Sequence, residues 1–132
     1  MTREQGTELV TAFGGEEAVE HVHEPFADIT PDFLDHILDF GCGEICIRPG
    51  LTPVERWIAA IASLTALDTE WSLRNHIQIG LRVGTPPHQM VAVLMQTIPH
   101  VGFLKAAEAL LLARRIFDEQ GLLPVPMPRQ TD

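Results

Sequence analysis

The stretch Glu70-Trp71-Ser72-Leu73-Arg74-Asn75-His76-Ile77-Gln78-Ile79-Gly80-Leu81-Arg82-Val83-Gly84 decides the fold class. Leu73, His76, Ile77, Gly80 and Leu81 recur at spacings of three and four, the period of a helix with one buried face. Gly84 supplies the residue that most easily takes the left-handed conformation at a helix end. The stretch therefore reads as a helix over about Glu70–Val83 with His76 turned inward among apolar residues. A buried imidazole is either a core histidine satisfied by hydrogen bonds or a titratable group with chemistry to do. Periodicity leaves both open.

The same period extends in both directions. Upstream, Thr52-Pro53-Val54-Glu55 places Thr52 and Glu55 at capping-box spacing. The helix they open buries Trp57, Ile58, Ile61, Leu64 and Thr65, has Ala59, Ala60 and Ala62 for close approach, and stops at Asp68-Thr69. Downstream, Thr85-Pro86-Pro87 starts a helix striped with Met90, Val91, Leu94 and Ile98, which Pro99 must end or kink. A last helix spans about Phe103–Gln120, with Gly121 as its cap. Toward the N-terminus three more segments follow the period: about Glu4–Phe13, a short one through Ala18, Val19 and Val22, and one from Thr30-Pro31 to about Ile47. Strand alternation is absent from the pattern. The sequence predicts an all-α domain of six or seven short helices over residues 1–121, followed by an extended Pro-rich tail, 122–132, with Pro124, Pro126 and Pro128. The tail's Leu122, Leu123, Val125 and Met127 are expected to pack on a neighbouring subunit or on the chain's own surface.

The chain has 132 residues, 45% of them hydrophobic, with mean hydropathy +0.10. That composition supports a core and excludes wholesale disorder. No apolar run reaches the roughly 18 residues that span a bilayer, and the polar start MTREQGTELV lacks a secretory leader's apolar stretch, so a cytoplasmic location and no membrane partner are expected. Net charge is −9, with eleven of the eighteen acids in residues 1–47 beside a single arginine. A chain without a basic stripe is a poor nucleic-acid binder.

Arg48 lies in Ile47-Arg48-Pro49-Gly50-Leu51, a break between two apolar helices. A guanidinium there either bonds helix-end carbonyls or clamps a substrate carboxylate in two-pronged fashion. Cys42 and Cys46, four apart, would strain a disulfide on an α-helix and read as two reduced thiols. Cys42, Cys46, His76 and His100 match no zinc spacing, and His21-x-His23 fits one helical face poorly, so no metal is expected. A nucleophile elbow, a P-loop, a dinucleotide fingerprint and a CxxC pair are all missing.

The run Phe40-Gly41-Cys42-Gly43-Glu44-Ile45-Cys46-Ile47-Arg48-Pro49-Gly50-Leu51-Thr52, then Arg56 and an alanine-rich helix, then His76, Gly84-Thr85-Pro86 and Gly102, resembles the carboxymuconolactone decarboxylase family over about residues 30–117. The opening, Gly6-Thr7-Glu8-Leu9-Val10 to Gly14-Gly15-Glu16-Glu17-Ala18-Val19, is similar to that family's first helices. The resemblance implies the all-α alkylhydroperoxidase D-like fold, a cyclic homo-oligomer, trimer or hexamer, and loss of carbon dioxide from a carboxylated unsaturated lactone without a cofactor. It implies His76, Arg48 and His100 as catalytic residues and Cys46, Arg56 and Ser72 as substrate-binding residues. The family's peroxidase branch uses a CxxC pair before the histidine, and here those two positions hold Thr69 and Ser72, which excludes that mechanism.

The departures from the pattern are concentrated around the implied site. Cys46 stands where members usually have tryptophan, Ser72 where a glutamate is common, Gln89 and Ala92 where the sixth helix usually bears acids, His100 in place of tyrosine, and Leu104 in place of proline. Three functions therefore stay open: decarboxylation with Arg48 stabilising an enolate and His76 protonating it; other acid–base chemistry, such as isomerisation, dehydration or cyclisation, on a bulkier intermediate; and a non-catalytic binding or structural subunit.

Overall fold

In the computed structural model, which describes residues 2–129, Thr52 and Glu55 close the expected capping box at the start of α4 (Pro53–Leu67). The Thr52 hydroxyl accepts the Glu55 N–H at 3.2 Å, and the Glu55 carboxylate accepts the Thr52 N–H at 2.7 Å. Two donors that a helix start leaves unpaired are thereby satisfied. Trp57, Ile61 and Thr65 are buried at four-residue spacing. The helix ends on Asp68 in the left-handed region, φ 57°, with the Asp68 and Thr69 N–H groups bonded back to the carbonyls of Thr65 and Leu64.

α5 (Glu70–Arg82) starts at once and buries Leu73, Ile77 and Gly80. Gly84, at φ 90°, closes it: the Thr85 N–H reaches the Gly80 carbonyl at 2.9 Å and the Gly84 N–H reaches that of Leu81. This pair of bonds needs a residue free to adopt positive φ. α6 (Pro87–Gln96) buries Met90 and Leu94 and stops before Pro99. One short turn, α7 (Ile98–Val101), follows, and Gly102 at φ 86° redirects the chain into α8 (Phe103–Glu119). Its buried face is Ala106, Ala109, Leu112, Ala113, Ile116 and Phe117. Trp57, Ile61, Ile77, Met90, Leu94, Ile116 and Phe117 form one core, and each fully buried large side chain contributes about 1.5–3 kcal/mol. After Gly121 the tail turns back. Its Leu122, Leu123 and Val125 pack against that core, so these apolar residues settle on the chain's own surface.

The described residues divide into two units after Leu51. In the N-terminal unit, α1 (Thr2–Gly14) is followed by α2 (Ala18–His23), a 3₁₀ turn over Glu24–Phe26 and the short α3 (Phe33–His36). α3 starts two residues later than Thr30-Pro31 suggests, because the Thr30 hydroxyl is spent on the Asp32 carboxylate at 3.0 Å and caps no backbone N–H. From Ile37 to Ile45 the helix adopts the π register, where an α-helix is expected. The Cys46 N–H accordingly bonds to the Gly41 carbonyl, five residues back, at 3.0 Å. α1 packs directly on this widened turn: a Cβ at Gly6 would overlap the Leu38 carbonyl and meet the Gly43 nitrogen at 3.0 Å. Arg3 ties the same two helices through Asp35 at 2.6 Å and Asp39 at 3.7 Å. Strands are absent among the described residues. Met1 and the last three residues of the expected tail, Gln130, Thr131 and Asp132, lie outside them.

Candidate active site

In the C-terminal unit the imidazole of His76 is held by its own helix. Nδ1 lies 2.7 Å from the backbone carbonyl of Ser72, one turn earlier on α5. A carbonyl only accepts, so Nδ1 carries the hydrogen and the neutral ring keeps its lone pair on Nε2. The ring is partly buried. Ser72 contributes through its backbone.

The backbone of His76 is fixed from the other side. The indole N–H of Trp57, on α4, donates to the His76 carbonyl. Trp57 is 3% exposed. It fits against α5 because position 80 has no side chain: a Cβ at Gly80 would overlap the indole and meet the terminal methyl of Met90 at 2.7 Å. Trp57 and Gly80 read in the sequence as ordinary stripe residues. The available sign of their role is a glycine in the middle of a strongly periodic helix, where it costs about 0.5–1 kcal/mol relative to alanine.

The other expected residues are distributed more widely. Arg56 precedes Trp57 on α4 and is partly buried. His100, on α7, is exposed and lines a cleft of about 400 Å³ between α4 and α6, with Ile58, Ala62 and Val93 as its apolar wall and Ser63 and Gln96 beside it. The Ser63 and Thr97 hydroxyls there donate to the carbonyls of Ala59 and Leu94 at 2.7 and 2.6 Å, so they offer a ligand lone pairs. Lys105, the chain's one lysine, donates to the carbonyl of Ala66, another residue of that cleft, at 2.7 Å. His76 does not line it. A second hollow, about 560 Å³, lies where the tail crosses α6 and α8, with Arg114 and Asp118 at its polar side.

In the N-terminal unit, Arg48 is exposed in the turn after the π-helical segment, its N–H bonded to the Ile45 carbonyl at 3.2 Å. Gly50, at φ 115°, lets the chain reverse there. Cys42 and Cys46 are brought together: their side chains are hydrogen bonded, and that bond, with burial, pushes the Cys42 thiol well above its ordinary range. Neither cysteine is in a disulfide.

The chain is all-α, with His76 on α5 and Arg48-Pro49-Gly50 in the turn after the π-helical segment. The chain belongs to the carboxymuconolactone decarboxylase family, whose model matches residues 31–115. It is similar to a 4-carboxymuconolactone decarboxylase of Acinetobacter baylyi, 30% identical over 120 residues that cover 91% of this chain and 90% of the relative.

Proposed function

We propose that the chain is a lyase that removes carbon dioxide from a small carboxylated lactone without a cofactor, and that 4-carboxymuconolactone, the compound in its relative's name, is the substrate to test first. The observation that supports this reading best is the hydrogen bond from His76 Nδ1 to the Ser72 carbonyl. It fixes the ring's tautomer and orientation and keeps the acceptor lone pair on Nε2.

The chemistry needs few parts. The bond between the ring carbon and the departing carboxylate breaks, and its electron pair moves into the lactone as an enolate. Arg48 holds the carboxylate or lactone oxygen and stabilises that charge in the assembled enzyme. His76, protonated on Nε2, then returns a proton to carbon. A positioned general acid of this kind contributes about 10²–10⁴-fold. Arg56 lines the substrate, Ser72 contributes its backbone carbonyl to His76, and Cys46 gives the site more room than a tryptophan would; His100, in a cleft that His76 does not line, stands outside this step.

The working form is a homo-oligomer, a trimer or hexamer. Its support is the apolar face of α8, where Leu104 and Leu111, seven residues apart, are 85% and 59% exposed. Residues at that spacing share a face, and a soluble chain rarely leaves such a face bare.

A second reading is other acid–base chemistry on a bulkier intermediate, favoured by Gln89, Ala92 and Ser72 where acids are usual. Carbon dioxide release from 4-carboxymuconolactone, followed together with loss of the lactone, separates the cases. Stoichiometric release supports decarboxylation. Lactone loss without carbon dioxide favours isomerisation, dehydration or cyclisation. Binding with neither product indicates a non-catalytic subunit.

A further inference from the structure

The hollow where the tail crosses α6 and α8 has no part in the proton chemistry above. It measures about 560 Å³, within the size range of small-molecule sites. Its wall is apolar: Val91 from α6, Leu110 and Phe117 from α8, Leu123 and Val125 from the tail. Phe117 is 1% exposed and the other four pack partly buried against the core, so the fold holds this wall in place. The tail is anchored where it enters, by Gly121 at φ 69° and by the Leu122 N–H on the Phe117 carbonyl at 2.8 Å.

Two opposite charges stand at the polar side of the wall. Arg114 and Asp118 both line the hollow, one helical turn apart, and both are exposed to solvent. Their neighbours Arg115 and Glu119 are paired, with Glu70 at 3.3 Å and with Arg74 at 3.2 Å. Among the described residues Arg114 and Asp118 are in no ion pair, even with each other. An arginine placed four residues before an acid is the weaker order for a helical pair. Asp118 also sits in the last turn of α8, which has no basic residue. A carboxylate there adds to the negative end of the helix, where a cation is favoured.

We infer that this hollow binds the zwitterion of a free apolar amino acid. Arg114 takes the carboxylate in two-pronged fashion. Asp118 and the negative end of α8 take the ammonium. The ligand's side chain lies on the wall of Val91, Leu110, Phe117, Leu123 and Val125. A simple carboxylate would meet Asp118, and a simple ammonium would meet Arg114. A molecule that carries both charges on one carbon satisfies the two together. The inference is independent of the decarboxylase reading, because His76 lines no part of this hollow.

The test is titration of the full chain with L-phenylalanine and L-leucine, followed by calorimetry and by amide and methyl NMR spectra. Saturable binding at about millimolar concentration is expected, with shifts centred on Val91, Leu110, Leu123 and Val125. N-acetyl-phenylalanine lacks the ammonium, phenylalanine amide lacks the carboxylate, and glycine lacks the apolar body. Each should bind at least about tenfold more weakly than L-phenylalanine. Arg114→Gln and Asp118→Asn, at exposed positions, should keep the fold and weaken L-phenylalanine binding at least about tenfold. The two blocked derivatives probe the same charges on the unaltered chain. No saturable binding, shifts centred elsewhere, equal affinity for the blocked derivatives, or unchanged affinity in the two variants would each overturn the inference.

Discussion

The indole N–H of Trp57 donates to the backbone carbonyl of His76, and the absence of a side chain at Gly80 is what lets the ring lie there. The catalytic histidine of the proposed mechanism is thus positioned through its backbone by α4 and through its ring by α5. Gly80→Ala tests the first support. Alanine raises helix propensity by about 1 kcal/mol, but its Cβ would overlap a rigid, buried indole, and overpacking of that kind costs about 1–3 kcal/mol. Net destabilisation of up to about 2 kcal/mol in urea unfolding is expected, with a shifted tryptophan emission in the folded state.

The start of α4 predicts a pH dependence. The backbone N–H of Thr52, and then its side chain, hold the Glu55 carboxyl below the ordinary carboxylate range. A group whose pKa is lower in the folded than in the unfolded chain stabilises the fold above its unfolded value, near 4.3, and loses that contribution as pH falls through the folded value. Relative to Glu55→Gln, the wild-type chain should therefore lose its advantage as pH drops below about 4. Thr52→Ala, which removes the cap, should cost about 1 kcal/mol at neutral pH.

Much of this was legible in the sequence because its punctuation is local. The capping box at Thr52, the left-handed Gly84, the stop before Pro99 and the restart after Gly102 each depend on a few neighbouring residues, and all four stand in the structure. The π register over Ile37–Ile45 was not legible. Its apolar residues satisfy an α-helical stripe equally well, and the wider turn accompanies the packing of α1, through Gly6, against the Leu38 carbonyl. For the same reason the contact between Cys42 and Cys46 was hidden, since four residues apart means different things in the two registers. At the candidate site, the buried stripe of Leu73, Ile77 and Gly80 could be read from spacing, while His76, expected among them, is only partly buried. Its anchoring to the Ser72 carbonyl could not, because a backbone acceptor leaves no mark on residue type.

Arg48 is exposed, so its substitution should affect chemistry more than folding. Oriented charge stabilisation is worth roughly 3–4 kcal/mol per donor. Arg48→Ala should therefore reduce kcat/KM for the lactone about 10²–10³-fold with an unchanged unfolding midpoint. Arg48→Lys should recover part of it, since an ammonium supplies charge without the two-pronged geometry. A fall in stability with unaltered kcat/KM would assign the guanidinium to the helix end.

The exposed face of α8 predicts the assembly state. Leu104→Glu combined with Leu111→Glu places two charges on that face without entering the core. Light scattering should show the wild-type chain as a trimer or hexamer and the double variant as a smaller species with its helix content retained. An unchanged mass would move the interface elsewhere.

His76→Asn tests the central claim most directly. The asparagine amide reaches the place of the Nδ1–H and can still donate to the Ser72 carbonyl, but it has no titratable nitrogen. With 4-carboxymuconolactone as substrate, the wild-type chain should release carbon dioxide, and the variant, folded and of unchanged mass, should do so about 10²–10⁴-fold more slowly. Release at the wild-type rate by His76→Asn would contradict the assignment of the imidazole as the proton donor.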